Sequence, residues 1–277
     1  MKEQSATTAL EALMVERGLA SWLRWTSASS PVPDVLVLTE PRLRLPGSAA
    51  ELAAREARFV GVNVPALAAG AALSWRQVRL QGLDFAGLLQ GSADAPFPAA
   101  HLSMLGDASL SLAPIAGGEA DQRLTLSLHL PAAVTVDLTL DLVGPFGNAT
   151  PPRLLAAMLR LADGGLAARL RDDLVRAASS LEEARSGLRV MLAALLFQPG
   201  PRSPLAGPLL ELLPAIFDHA DAQPVVTLRL HAAMPAPWED WQAFLRDGGG
   251  APIRVETSLH PSKAPLSAES AKTEAAS

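Results

Sequence analysis

Asp218-His219-Ala220-Asp221 is the densest group of metal-ligating or acid–base side chains in the sequence. Two carboxylates flanking an imidazole could hold a divalent cation, or pass a proton between a base and its orienting acid. The spacing matches no established site pattern, and the tetrapeptide falls where a helix is expected to end. A solvated helix terminus is therefore the simpler reading. His129 and His231 each fall on the polar face of an expected strand; they could meet across a sheet, but two exposed imidazoles is the favoured reading. His101 and His260 lie in loops or at strand ends with nothing nearby in sequence to build a site. The paired acids Asp172/Asp173 and Glu182/Glu183 fall on wet helix faces, where ion pairing and capping account for them. Gly248-Gly249-Gly250 lacks the Lys-Ser/Thr and the preceding strand of a phosphate loop and reads as a helix stop. No Gly-x-Ser-x-Gly elbow is present. The expectation is no catalytic residue, no metal site, no cofactor and no enzyme activity.

Composition narrows the classes further. The chain has 277 residues, 49% hydrophobic and 18% charged, with a formal net charge of −5. That balance supports a real core and argues against disorder. Nucleic-acid binding is not expected, because phosphate neutralisation needs clustered Lys and Arg. Lysine occurs only at Lys2, Lys263 and Lys272, and this Arg- and Ala-rich usage fits a high-GC bacterial gene. There is no cysteine, which excludes disulfides, thiolate metal sites and cysteine nucleophiles. Asn148-Ala149-Thr150 matches a glycosylation sequon that bacterial composition makes uninformative. Met1-Lys2-Glu3-Gln4-Ser5 does not read as a signal peptide. The longest fully apolar run, Val190 to Phe197, falls well short of the ~20 residues that span a bilayer. A periplasmic or envelope location is expected if an export signal was removed, and a cytoplasmic one otherwise.

The elements come next. Leu124, Leu126, Leu128 and Leu130, then Val134, Val136, Leu138, Leu140 and Leu142, alternate with Thr, Ser, His and Asp. This is the period of two amphipathic strands with a turn at Pro131-Ala132-Ala133. Residues 7–26 read as a helix, broken by Ser27 to Pro33. Short strands follow at Val35 to Thr39, Arg42 to Leu45, Leu73 to Leu80 and Ala108 to Leu112. Residues 48–60 have Ala-rich helix propensity and a capping box at Ser48, yet their neighbours resemble short strands ending in Gly, and strand is the reading adopted. Ala86 to Ala100 reads as a loop. After Gly144 the period becomes helical. Leu166, Leu170 and Leu174 form one stripe, with Arg169/Asp173 and Asp172/Arg176 on its wet side. Ser180-Leu181-Glu182-Glu183 opens a helix with Leu181, Ala184, Leu188, Met191, Leu192 and Leu195 on one face. Ser203-Pro204 starts a third, which Pro208 and Pro214 should kink or split. Strands return at Val226 to Leu230 and Ile253 to Thr257, with a short helix at Trp238, Trp241 and Leu245 between them.

The expected class is α+β: a mainly antiparallel, curved β-sheet packed against a C-terminal helical block, with a strand–helix–strand ending. The expected organisation is an N-terminal helix and linker at 1–33 and a single α+β domain at 34–262. That domain is strand-rich over 34–145, helical over 150–220 and strand–helix–strand over 223–260. A disordered tail is expected at 263–277.

Repeated short strands ending in Gly, such as Leu73-Ser74-Trp75-Arg76-Gln77-Val78-Arg79-Leu80-Gln81-Gly82, together with the Leu124–Leu142 ladder, resemble those of AsmA-like bacterial envelope proteins. The segment from Leu159 to Leu166 resembles phrases in other proteobacterial envelope proteins. The resemblance spans residues 35–260, rests on texture and carries over no functional residue. It implies a strand over Leu154 to Leu161, whereas Thr150-Pro151 by propensity caps a helix there; the sequence leaves both open.

Three functions compete. The first is a non-enzymatic protein that binds a hydrophobic ligand, a lipid, on the aliphatic face at Leu126, Leu128, Leu138 and Leu140. The commoner fate of such a face is to be filled by helices. The second is a structural or interaction subunit of an envelope assembly, meeting a protein partner through Trp238 and Trp241; a helix packed on the sheet is the simpler account of those indoles. The third is an enzyme using Asp218, His219 and Asp221. They rank in that order.

Overall fold

Antiparallel pairing organises the strands of the described residues. The computed structural model describes residues 8, 10–12, 15, 22–44, 51–63, 66, 75–84, 105–117, 119–144, 151–196 and 203–262. They fall into two compact units, Met1–Pro131 and Ala132–Ser277. The expected α+β class with an antiparallel sheet is what the structure shows.

The first unit is built from strands β1 (Leu23–Arg24), β2 (Ser27–Ser29), β3 (Val35–Thr39), β4 (Arg42–Arg44), β5 (Glu51–Ala53), β6 (Glu56–Val60), β7 (Gln77–Asp84), β8 (Leu105–Pro114) and β9 (Gln122–Leu130). They run in the order β1-β4-β5-β7-β8-β9, and β2-β3-β6 joins alongside at β7. Directly opposed residues in an antiparallel pair share a face, so the register assembles rows across strands. One row is Ala28, Leu38, Ala57, Leu80, Ala108 and Leu128; its neighbour is Leu36, Phe59, Val78, Leu110 and Leu126. At the β2-β3-β6 end these rows form a closed core. Leu36, Leu38, Ala28, Ala57 and Val62 are buried there with Leu10, and Trp25 and Trp75 pack against them.

Two expectations change in this unit. The helix read over 7–26 does not reach its expected end, because Leu23 and Arg24 pair with Leu43 and Arg42. The break at Ser27 to Pro33 contains β2, which pairs with β3. Residues 51–60 are strands, as adopted, despite helix propensity. Pairing accounts for it: β6 is laddered on both sides, with β3 and β7, and Ala57 lies opposite Leu38 and Leu80. The loop read over 86–100 lies outside the described residues, as do Ser48, the sequon at 148–150 and the tail at 263–277.

The second unit orders strands β10 (Val134–Val143), β11 (Arg153–Asp163), β12 (Pro224–Ala236) and β13 (Ile253–Pro261) sequentially. Its helices are α1 (Leu166–Ala177), α2 (Leu181–Leu196), α3 (Ala206–Asp218) and α4 (Trp238–Asp247), with a 3-10 turn at Ala220–Ala222. The helix–strand ambiguity at 153–162 resolves to strand: β11 is paired on both sides, with β10 and β12, so ladder hydrogen bonds outweigh the local N-cap signal.

Helix signals are realised with adjustments. Ser180 Oγ accepts the Glu183 N–H at 3.1 Å, and the Glu183 carboxylate reaches back to the Ser179 N–H at 2.8 Å. The side chains of Met191, Leu192 and Leu195 lie outside the described residues. The third helix is not split. Pro208 falls in the first turn, where its missing N–H costs no intrahelical bond, and Pro214 sits inside one continuous helix. Arg176 pairs with Asp173 at 2.7 Å and Asp172 with Arg171 at 3.2 Å, in place of the expected Asp172–Arg176 pair.

Candidate functional site

The tetrapeptide at 218–221 is held by two arginines from neighbouring helices. Asp221, in the 3-10 turn, takes both terminal nitrogens of Arg171 on α1, at 2.6 and 2.8 Å. Asp218, at the end of α3, pairs with Arg185 on α2. The carboxylates are thus split between two partners, and His219 is exposed between them at the end of α3. The arrangement ties three helices together; it does not converge on a substrate. The hydrogen bonds from Arg171 hold the Asp221 carboxyl below its ordinary value of 3.8 and, in return, raise the Arg171 guanidinium. Among the described residues no cluster of His, Asp and Glu is placed to hold a metal ion, and no polar or charged side chain is fully buried.

This latch carries a pH prediction. A depressed carboxyl pKa stabilises the fold above the unfolded value, and that contribution fades as pH falls through the folded value. Asp221→Asn should lower the denaturation midpoint at neutral pH and converge with the parent protein as pH drops below 3.8. Denaturant titrations across that range check it; an equal offset at every pH would contradict it. The pair is exposed on the aspartate side, so the effect is small.

The histidines do not meet as ladder partners. His129 lies opposite Asp107 on β8, and His231 lies between Ala156 and Arg254.

The four leucines expected to line a ligand site divide between the units. In the second unit Leu138 and Leu140 lie opposite Leu159 and Ala157, and Leu159 in turn opposes Leu228. This is the face that α3 covers. Leu205, Leu209 and Leu212 close over Leu159, Leu161, Val226 and Leu228, and the residual cavity is about 40 Å³. A drug-sized ligand needs roughly 300 Å³ or more, so helix packing fills this stretch. Leu138 and Leu140 are half-buried beside it.

In the first unit the outcome is different. Leu126 and Leu128 continue rows that begin in the closed core at Leu36 and Leu38. Burial falls off outward: Leu38 is 1% exposed, Leu80 and Leu110 are intermediate, and Leu126 reaches 39%. Ala108 lies opposite Leu80 on one side and Leu128 on the other.

The two indoles of α4 have opposite fates. Trp241 is 1% exposed, and its Nε1–H donates to the Leu154 carbonyl at 3.1 Å. It is therefore packed in the core, as the simpler account of a helix on the sheet has it, and the exposed indole of the pair is Trp238. Trp238 is 51% exposed, and Met234, four residues before it, is 76% exposed.

Sequence reading missed a cleft of about 710 Å³ between the end of α4 and the start of β13, lined by Phe244, Pro252, Ile253, His231 and Arg254. Its rim is the triple glycine. Gly248 ends α4 with φ +79 and donates to the Phe244 carbonyl. A Cβ on Gly250 would lie 2.4 Å from the Asp240 carbonyl oxygen, so only glycine lets the rim press on α4. The glycine run was legible, but the register that sets His231 against Arg254 was not.

A scan against protein-family models, a search of curated proteins and a search of solved structures each return no match to this chain. No helix among the described residues is long and apolar enough to cross a membrane.

Proposed function

We propose that this protein binds an apolar chain, the acyl chain of a lipid, on the face of β7, β8 and β9 in its first unit, without catalysing a reaction. One observation carries the reading: from β7 outward the rows, through Val78, Leu80, Leu110, Leu126 and Leu128, are aliphatic yet emerge from the core into partial exposure. Adjacent strands are about 4.8 Å apart, so the stretch from Val78 to Leu126 crosses three strands and roughly 10 Å. That length accommodates part of an extended hydrocarbon chain. Leu138 and Leu140 flank a stretch that α3 fills, and they are not part of the proposed surface. The likeness of the strand phrases to AsmA-like envelope proteins accords with this reading.

Lipid extraction of the purified protein followed by mass spectrometry tests it, together with titration of a fluorescent fatty acid. Lipid should be recovered, and the probe should saturate. Leu126→Asp places a charge on the row where the side chain already meets solvent. It should weaken probe binding about tenfold or more while leaving the unfolding temperature near that of the parent. No lipid and no saturable probe uptake would overturn the reading.

A second reading, a structural or interaction subunit, rests on the exposed pair Met234 and Trp238. Extraction separates the two, because an interaction subunit yields no bound lipid.

A further inference from the structure

The cleft beside the triple glycine has the composition of a small-ligand site, and it lies in the second unit, so it stands apart from the acyl-chain reading. Its volume of about 710 Å³ is in the range that small molecules occupy. One wall is apolar, formed by Phe244, Pro252 and Ile253. The hollow is open to solvent, and its polar side is set by His231 and Arg254, which oppose each other across β12 and β13 and so project from the same face. No acidic residue lines the cleft among those described. The nearest chain carboxylate in sequence, Asp247, is already engaged. It accepts from the Gly249 N–H at 2.9 Å and pairs with Arg246 at 3.0 Å.

Arg254 is the cation of the site. Its side chain is 79% exposed and has Glu256 on its own strand as ion-pair partner at 2.9 Å. A guanidinium has five N–H donors in a fork, so one carboxylate does not exhaust it. His231 adds a ring N–H. The N–H groups of Gly250 and Ala251 have no acceptor among the described residues. The backbone of Gly250 lies close against the Asp240 carbonyl of α4. Glu256 engages one nitrogen of Arg254 and leaves the other guanidinium donors, the His231 ring and the rim N–H groups for an anion, and the Phe244–Pro252–Ile253 wall calls for an apolar body attached to it.

We propose that this cleft binds a small organic carboxylate with an apolar body, its carboxylate on Arg254 and His231 and its body against Phe244 and Ile253. A planar carboxylate matches the guanidinium fork, which can give it two parallel hydrogen bonds.

Isothermal titration of the full chain with phenylacetate, and with phenylacetamide as its uncharged counterpart, tests the proposal. Phenylacetate should bind saturably, and the amide at least tenfold more weakly. Arg254→Gln should lower phenylacetate affinity about tenfold, leave the amide unchanged and leave the unfolding temperature within about a degree, since the side chain is exposed. His231→Ala should give a smaller loss in the same direction. Absence of saturable phenylacetate binding, equal affinity for acid and amide, or full affinity in folded Arg254→Gln would each overturn it. The first two comparisons use the parent protein and do not depend on any variant folding.

Discussion

Trp241→Ala should destabilise the protein by about 4 kcal/mol, a large share of the 5–15 kcal/mol that a folded chain has in total. The indole is 1% exposed, so truncation leaves a cavity that its neighbours fill only in part. It also removes the 3.1 Å hydrogen bond to the Leu154 carbonyl. That carbonyl is at the end of β11, next to the irregularity between Leu154 and Ala156. Trp241→Phe keeps most of the packing and loses the donor, so its expected cost is smaller, about 1–2 kcal/mol. Urea denaturation of both variants checks the ordering. A cost for Trp241→Ala no larger than that for Trp241→Phe would mean the packing contributes little. Trp238→Ala, at the 51% exposed position, should move the midpoint hardly at all.

Leu38→Ala should cost about 3 kcal/mol in the first unit. Leu38 is 1% exposed on β3, with Ala28 on one side and Ala57 on the other. Its flanking partners are already alanine, so no large neighbour in the row can swing into the space. Leu126→Ala on the same aliphatic face should cost well under 1 kcal/mol, because a 39% exposed leucine has less area to return to water. Denaturant midpoints of the two variants measure the gradient along the rows directly. Equal costs at Leu38 and Leu126 would show that the outer end is packed as tightly as the inner end, and the proposed acyl surface would then be core.

The gradient matters for function because it separates two uses of one sequence pattern. In the second unit the leucines of β11 and β12 meet Leu209 and Leu212 of α3 and its N-cap residue Leu205, and leave about 40 Å³. In the first unit Leu10, Trp25 and Trp75 gather at the β2-β3-β6 end, and the rows thin out towards β9. The same alternation of leucine and polar residues thus builds a sealed core in one unit and a graded surface in the other.

Much of the architecture was legible in the chain itself. The alternation over Leu124–Leu142 set two strands and their turn, because a period of two can place every leucine on one side only in an extended backbone. Ser180 with Glu183, and Gly248 after α4, marked helix ends through hydrogen bonds local enough to be written in four residues. The α+β class followed from the change of period after Gly144.

Tertiary structure decided what depends on partners distant in sequence. Residues 51–60 and 153–163 became strands because paired neighbours supplied ladder bonds that helix propensity could not match. Asp218 and Asp221, the best candidates for chemistry, became a latch because Arg185 and Arg171 arrive from 33 and 50 residues away. Trp241 became core because its acceptor lies 87 residues earlier. His231 and Arg254 share a cleft because of a register between β12 and β13 that no local spacing encodes. Local periodicity determines which side of an element is apolar; only the packed chain determines whether that side is covered, and by what.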